Sequence, residues 1–440
     1  MKTDRVTICD KPPCTILSSA KDTVLHVNME LSNFPPELIS RVFTFLSNKE
    51  DAIRHHIGYT ALYACSLVCH DWRATALPMI WSKLNLQSTS QKIRIHERLS
   101  RSLSESRSHA ATENHADRAN HIVMIDLSAD MYALEEHWSE VTAPVFHILR
   151  LFSPDQLHTV NLHFPHFYFT PLQWRVDPNA SSGLPSTLFP ALTRNLKRLS
   201  VSCLCSSCTD SDAILQNLPD RLEALHLTGS SDSPWYKSAT SLDRILSLSK
   251  LRNLHACDLR LTVSHLERGL RSWGPRLQHL RITDRIDPLE DALVRALTAH
   301  CPSLQSLGLQ VDLGDSEPLQ VSNDALVALF GSCASLERLV LRGCSAMSNG
   351  LLAVCASQGR GLRVLEIDDP FGRLTGEGVV DLSGWVRLEK FIVEDSVWSG
   401  ERIDMDEAFV LAVKTKCHAL TKCKLRGVVV AEQLQSDDEL

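Results

Sequence analysis

Residues 336–367, LERLVLRGCSAMSNGLLAVCASQGRGLRVLEI, begin and end with the same six-residue pattern. In both LERLVL and LRVLEI, large apolar residues occupy positions 1, 4 and 6, and the two copies begin 26 residues apart. Positions that alternate in this way predict a short β-strand, because successive side chains of a strand point to opposite faces of a sheet. The segment therefore predicts two strands joined by a return segment.

This six-residue pattern, called the hexad below, occurs ten times in the second two-thirds of the chain. Its copies begin at Leu157, Leu196, Leu222, Leu251, Leu277, Leu304, Leu336, Leu362, Leu388 and Leu420. Most of their spacings are in or close to the range of about 20–29 residues that is typical of leucine-rich repeats. One strand and its return helix cannot bury an apolar face alone, so the repeat predicts a curved solenoid with a parallel sheet on its concave face.

The segments between hexads have helical periodicity and cysteines at a fixed offset. Apolar residues recur every three or four positions after Asn323 and around Leu293, which predicts helices there. Cys301, Cys333 and Cys417 each precede the first leucine of a hexad by three residues. We expect these thiols to be packing residues rather than nucleophiles. The pattern resembles the cysteine-containing class of leucine-rich repeats, which is familiar from ubiquitin-ligase receptors.

Composition limits the classes of function. The chain has 440 residues, a net charge of −7, 44% apolar residues and 14 Cys. The negative charge argues against a protein that binds nucleic acid through its phosphates. No apolar run reaches the roughly 18 residues of a membrane span, and the N-terminus lacks the apolar core of a signal peptide. We therefore expect an intracellular protein of the cytoplasm, the nucleus or both, without nucleic-acid or membrane partners and with reduced thiols.

Residues 31–86 follow a different, helical pattern. Pro35 and Pro36 suit the start of a helix whose apolar residues, through Leu46, fall on one broad face. A second helix is indicated by the spacing of apolar residues from Leu62 to Trp72. So small a module exposes these side chains unless something covers them. It is therefore either a cap that protects the first repeat or a motif that binds a partner.

The residues of this module resemble the F-box. The matching segments are FPPELISRVFTFL (Phe34–Leu46) and LYACSLVCHDWRATALPMIWSKL (Leu62–Leu84). The resemblance implies a non-catalytic substrate receptor of an SCF-type cullin–RING ubiquitin ligase, in which the F-box docks on a Skp-family adaptor and the repeats hold a protein substrate. The adaptor-binding residues implied by motif position are Pro35, Leu38, Ile39, Val42 and Leu46, with Leu67, Val68, Trp72 and Trp81 completing that surface or packing the module.

The expected architecture is of the α/β class, with a small helical F-box followed by the curved leucine-rich-repeat solenoid. The predicted segments are a flexible N-terminus (1–30), the F-box (31–86), a polar linker (87–120), the solenoid (121–430) and an acidic tail (431–440). Within the solenoid, IVMIDLSAD from Ile122 has the rhythm of a degenerate first strand.

Positions 3, 5 and 7 of each hexad register should face the cavity of the solenoid. They include Glu394, Lys422, Lys424 and Arg426, and the substrate contacts predicted among them are His279, Arg281, Arg338, Arg342, Glu366, Asp368 and Lys390. Arg338 and Arg342 suit a carboxylate or phosphate, since arginine offers paired donors. The alternative is a solvated face with cross-strand charge pairs.

No catalytic motif, cofactor site or metal site is predicted. The tightest thiol cluster consists of Cys203, Cys205 and Cys208. If this cluster bound zinc, it would need a fourth ligand, which His226 or Cys257 could supply. The favoured interpretation is that Cys203 and Cys205 simply end the strand that begins at Leu196. Two other functions stay open: a repeat scaffold outside the ubiquitin system, and a regulator such as a GTPase activator that uses a solenoid arginine.

Overall fold

The structure is a computed structural model, and it describes a large part of the repeat region. The described residues are 83–86, 124–128, 152, 156–163, 195–204, 215–229, 239–259, 261–284, 291–311, 321–343, 348–369, 373–394, 405–426 and 428–432. All of them belong to one unit, Trp81–Leu440. No helix within these ranges is long and apolar enough to cross a membrane.

Thirteen strands within these ranges form one sheet, in which each strand pairs with its neighbours along the chain. The strands are β1 (Lys83–Leu86), β2 (Met124–Ser128), β3 (Thr159–His163), β4 (Arg198–Leu204), β5 (Ala224–Gly229), β6 (Asn253–Cys257), β7 (His279–Asp284), β8 (Ser306–Val311), β9 (Arg338–Arg342), β10 (Val364–Asp368), β11 (Lys390–Glu394), β12 (Lys422–Leu425) and β13 (Val428–Glu432). Strands β1 to β12 pair in parallel, whereas β13 is antiparallel to β12.

Helices connect most of the later strands, as the periodicity predicts. They are α1 (Ala239–Leu246), α2 (Val263–Trp273), α3 (Asp291–His300), α4 (Asn323–Ser332), α5 (Asn349–Gln358) and α6 (Glu407–Lys416), with short 3₁₀ turns at Gly274–Arg276 and Ser383–Trp385. Ser322 and Ser348, one hexad spacing apart, cap α4 and α5 through their hydroxyl groups. Serine is favoured there because its oxygen accepts a hydrogen bond from a backbone N–H of the first turn.

The hexad leucines form the core. In the hexad that begins at Leu362, positions 1, 4 and 6 are Leu362, Leu365 and Ile367, and all three are buried. Helix residues such as Leu326 and Leu352 belong to the same apolar cluster. The predicted solenoid of strand–helix repeats on a parallel sheet is therefore confirmed.

The offset cysteines are packing residues, as predicted. Cys301, Cys333 and Cys417 are buried, and Cys333 Sγ lies 3.3 Å from the carbonyl oxygen of Cys301 in the preceding repeat. Burial raises the pKa of Cys301 to about 12, with a smaller contribution from Cys333. These thiols are therefore protonated at neutral pH and are poor nucleophiles.

The repeat between β10 and β11 returns through the 3₁₀ turn rather than a long helix in its described part. Trp385 fills this space: its ring centroid lies 4.8 Å from that of Phe391 and 6.3 Å from that of Phe409. Its indole Nε1 donates a hydrogen bond to the carbonyl oxygen of Cys355 at 3.0 Å. A single large side chain thus links three neighbouring repeats.

The two ends of the sheet differ from the sequence prediction. Residues Met124–Ser128 form a strand in register with β3, but they are the second strand, because Lys83–Leu86 pairs with them first. At the other end, the valine-rich segment Val428–Glu432 adds an antiparallel strand that the hexads do not predict. The segment WSKLNL (81–86) has apolar residues at positions 1, 4 and 6 of a hexad, so the signal for β1 was present in the sequence. Val428–Glu432 has no such pattern, so periodicity does not reveal β13.

Candidate protein-interaction surface

Positions 3, 5 and 7 of the hexads on β3 to β11, with positions 3 and 5 of the hexad on β12, lie on one face of the sheet, called the open face here. It is opposite the face whose leucines pack with the helices. The parallel register places equivalent positions side by side, as in the row of His226, His255, Arg281 and Gly308 at position 5. The open face thus brings together side chains that are about one repeat apart in sequence.

Glu366 is the centre of a charge cluster on β9 to β11. Its carboxylate accepts hydrogen bonds from Arg338 Nη2 at 2.8 Å, Lys390 Nζ at 3.0 Å and Arg342 Nη2 at 3.3 Å. Three cations from the two neighbouring strands therefore surround one carboxylate. We call these four residues the Glu366 cluster.

The Glu366 side chain is only 7% exposed, yet it stays ionised. Burial alone raises the pKa of a carboxyl group, because it penalises the charged form. Here the hydrogen bond from Lys390 and the charges of Arg338, Lys390 and Arg342 outweigh burial, so the pKa of Glu366 is lowered. The cluster is thus held together by charge complementarity in a partly desolvated setting.

The cluster continues to the next strands. Glu394 lies 3.9 Å from Arg342 and 3.5 Å from Lys424, each measured from carboxylate oxygen to side-chain nitrogen. The two arginines that suited a ligand carboxylate are therefore already paired with carboxylates of this chain. This geometry supports the alternative of cross-strand charge pairs for Arg338 and Arg342.

A different site, called the histidine cleft here, lies on β2 to β8. It has a volume of about 370 Å³. Its lining residues include Asn161, Arg198, Ser200, His226, Asn253, His255, His279, Arg281 and Ser306. No aspartate or glutamate is among the described residues that line it.

Two stacked imidazoles are among the side chains that line the cleft. The rings of His226 and His255 are 4.0 Å apart at their centroids and are inclined by 12°. His226 Nδ1 lies 3.2 Å from Ser200 Oγ, and its Nε2 lies 3.5 Å from Thr228 Oγ1. Burial, His226 and Arg281 lower the pKa of His255 to about 4, so this imidazole is neutral at neutral pH.

Arginines stand on either side of the histidine pair. Arg198, at position 3 of the hexad on β4, and Arg281, at position 5 of the hexad on β7, are both exposed. Neither forms an ion pair with a carboxylate in the part of the chain that the structure describes. His279 lies beside Arg281 along β7, and burial lowers its pKa against the opposing effect of Glu337.

The seven predicted substrate contacts fall into two groups. His279 and Arg281 line the histidine cleft, whereas Arg338, Arg342, Glu366 and Lys390 form the Glu366 cluster. Asp368 ends β10, two residues after Glu366. Contact with a substrate stays a prediction for all seven. The expectation that Arg426 faces the cavity is wrong, because that side chain is buried on an aspartate, Asp369.

Arg198, His226 and His255 were not predicted from the sequence as members of one site. They occupy positions 3, 5 and 5 of the hexads that begin at Leu196, Leu222 and Leu251. The signal was therefore present, since the rule that selected His279 and Arg281 also selects these residues.

Two of the cysteines in the alternative zinc site are not among the residues that the structure describes. Cys205 and Cys208 are outside the described residues, and His226 is engaged with Ser200 and Thr228. Within the described ranges, no group of three or more His, Cys, Asp or Glu side chains could hold a metal ion.

All nine predicted adaptor-binding residues, Pro35, Leu38, Ile39, Val42, Leu46, Leu67, Val68, Trp72 and Trp81, lie outside the described residues. The segment that contains these residues was compared with known protein families. Residues 31–87 match the family described as F-box-like. No curated protein matches the chain.

The solved structures that match this chain have low sequence identity to it. A crystal structure of a complex of Rad7 and Elc1 in yeast is 14% identical over 67% of this chain and 70% of that chain, with a TM-score of 0.34. A protein from Bacteroides fragilis is 12% identical over 53% and 73%, with a TM-score of 0.27. A TLR13–ssRNA13 complex is 14% identical over 70% and 46%, also with a TM-score of 0.27. The repeat assignment rests on the hexads and the sheet, not on these likenesses.

Proposed function

We propose that this chain, an F-box protein with leucine-rich repeats, is the substrate receptor of an SCF-type ubiquitin ligase. The observation that carries the proposal is the F-box-like match at residues 31–87, joined in one chain to a repeat sheet with a polar open face. The F-box binds a Skp-family adaptor and, through it, a cullin–RING core. The repeats bind a protein substrate, which is ubiquitylated and degraded.

In this role the chain supplies binding rather than chemistry. The expected adaptor contacts are apolar residues of the first predicted helix of the F-box, including Leu38, Ile39 and Val42. Helical motifs of this kind bind by placing apolar anchors into a groove of the partner. The ubiquitin chemistry takes place on other subunits, and the complex works inside the cell.

Co-purification tests the adaptor part of the proposal. We expect the intact chain to retain a Skp-family adaptor and a cullin, and the Pro35→Ala/Leu38→Ala double variant to lose both. Arg295→Ala, an exposed change on α3, is the matched control and should retain the adaptor. Thermal unfolding of each variant tests whether the repeat sheet stays folded.

Two results would contradict the proposal in different ways. If the double variant retained the adaptor, the assigned contact residues would be wrong. If the wild-type chain bound neither adaptor nor cullin, residues 31–87 would be a helical cap, and the chain would be an interaction scaffold outside the ubiquitin system.

A further inference from the structure

We propose that the histidine cleft binds an extended acidic segment of a partner protein, with one acidic side chain at Arg198 and a second at Arg281. The ligand chemistry is an oxyanion, either a carboxylate or a phosphorylated side chain. Whether the bound protein is a ubiquitylation substrate rests on the proposed receptor function, whereas the binding is a property of the cleft.

The described lining of the cleft is positively charged. Arg198 and Arg281 bring two permanent positive charges, and no described carboxylate lines the cleft to neutralise them. This contrasts with the Glu366 cluster, where Arg338 and Arg342 already hold a carboxylate of this chain. The histidine cleft is therefore the part of the described open face where an incoming anion meets unpaired guanidinium groups.

Neutral donors also line the cleft. Asn253 lies on β6, between the strands of the two arginines, and Ser306 lies on β8, next to the strand of Arg281. Their side chains offer N–H and O–H groups. His255 is largely neutral at neutral pH, so it offers one ring N–H without adding a full charge. Such donors suit the backbone carbonyls and side-chain oxygens of an extended segment.

The spacing of the arginines sets the spacing of the acidic residues. Three strand steps separate β4 from β7, and Arg281 is two positions further along its strand than Arg198. With strands about 4.8 Å apart and a rise of about 3.3 Å per residue, the two backbones are about 16 Å apart. An extended peptide covers that distance in about four or five residues.

The absence of a side chain at Gly308 leaves space for the side chain of Arg281. Gly308 occupies position 5 of β8, next to Arg281, and a methyl group there would lie 3.2 Å from Arg281 Cγ. The missing side chain leaves room for the aliphatic part of Arg281 to lie across β8. A larger residue at this position would move the guanidinium away from its place in the cleft.

The test measures peptide binding by the intact chain through fluorescence anisotropy. The probes are labelled glycine–serine peptides that carry two glutamates, two phosphoserines, two serines or two lysines, placed four residues apart. We expect the glutamate or phosphoserine peptide to bind, with an affinity that falls as salt is raised. Comparison of these two peptides identifies whether the site prefers a carboxylate or a phosphate.

Variants locate the binding. Arg198→Ala/Arg281→Ala should weaken binding of the acidic peptide about tenfold or more, since hydrogen bonds to charged groups are among the stronger ones. Arg295→Ala removes one positive charge from helix α3 and should leave affinity unchanged. Gly308→Val should weaken binding while keeping both arginines.

The proposal is overturned if no acidic peptide binds, if the serine peptide binds equally well, or if the double variant binds like wild type. Adaptor co-purification separates the two proposals. A chain that retains its adaptor but binds no acidic peptide refutes only the cleft. A chain that binds the peptide but no adaptor refutes only the receptor function.

Discussion

Arg426 and Asp369, 57 residues apart in sequence, form an ion pair of 2.9 Å between Nη2 and Oδ2, and both side chains are buried. The same Arg426 nitrogen donates to the carbonyl oxygen of Leu374 at 2.8 Å, and the Leu374 N–H donates to Asp369 Oδ2 at 2.7 Å. The Arg426 backbone N–H reaches Val393 O at 2.7 Å. The pair therefore joins the ends of β10 and β12 across β11.

Replacing Arg426 by leucine should destabilise the repeat sheet strongly. The change leaves the Asp369 carboxylate buried without its cation, which typically costs about 3–5 kcal/mol. Urea unfolding followed by circular dichroism measures the loss. Arg387→Leu, at an exposed position, is the matched control and should change the free energy of unfolding little. An Arg426→Leu protein with the midpoint of wild type would show that the pair contributes nothing.

Gly376→Ala should be more destabilising than Gly378→Ala. Both glycines have positive φ, +79° and +76°, so alanine strains the backbone at either position. At Gly376 the new methyl group also overlaps the ring of Phe409. At Gly378 no atom of a neighbouring residue lies within 4 Å of the new methyl group. The strain alone costs about 1–3 kcal/mol, and the overlap adds to it.

Thermal unfolding of the two glycine variants separates strain from overlap. The difference between them reports the packing of Phe409 on the backbone, because the strain is shared. Equal melting temperatures would mean that Phe409 moves aside without loss.

Glu366 should make the stability of the sheet depend on acid pH. Because its pKa is lowered in the folded state, the unfolded chain binds more protons as the pH falls. The stabilisation is complete above the ordinary value of about 4.5 and is lost as the pH falls below it toward the folded pKa. We therefore expect Glu366→Gln to lower stability near neutral pH and to flatten the loss of stability in acid.

Urea midpoints over the acid range measure this effect. Glu377→Gln, at an exposed carboxylate, is the control and should keep the pH profile of wild type. A Glu366→Gln profile parallel to wild type would show that other groups cause the acid dependence.

Cys301 and Cys355 should resist alkylation in the folded protein. Burial raises the pKa of each thiol to about 12, so almost no thiolate is present at neutral pH. Iodoacetamide labelling followed by peptide mass spectrometry should show these two cysteines modified only after unfolding. The half-buried Cys257 serves as the internal comparison and should react sooner. Labelling of Cys355 in the native state at the rate of Cys257 would contradict the burial.

Much of the fold follows from the hexads, because a leucine pattern determines which face of each strand is buried. The hexad at Leu304, for example, predicts the burial of Leu307 and Leu309, and both are buried. What periodicity does not provide is pairing between distant residues. Asp369 and Arg426 stand in different repeats, and Arg426 occupies a position that alternation assigns to the open face.

The open face was predicted as a surface but not as two separate sites. Alternation identifies which side chains point outward, and it selected Arg281 and Arg338 equally. The structure distinguishes them because Glu366 pairs with Arg338, while no described carboxylate pairs with Arg281. Such differences depend on which residues the register places next to each other, and this register is fixed only when the strands are aligned.

Because each strand pairs with its neighbours along the chain, the free energy of unfolding of the sheet is approximately a sum over single repeats and over the interfaces between adjacent repeats. Each repeat contacts mainly its neighbours, so separate groups of repeats can open by local unfolding at different free energies. A ligand that spans β4 to β7 would bridge four such units at once. Backbone amides in these four strands would then exchange with solvent more slowly and more nearly together, while those of β10 to β12 would keep their own rates.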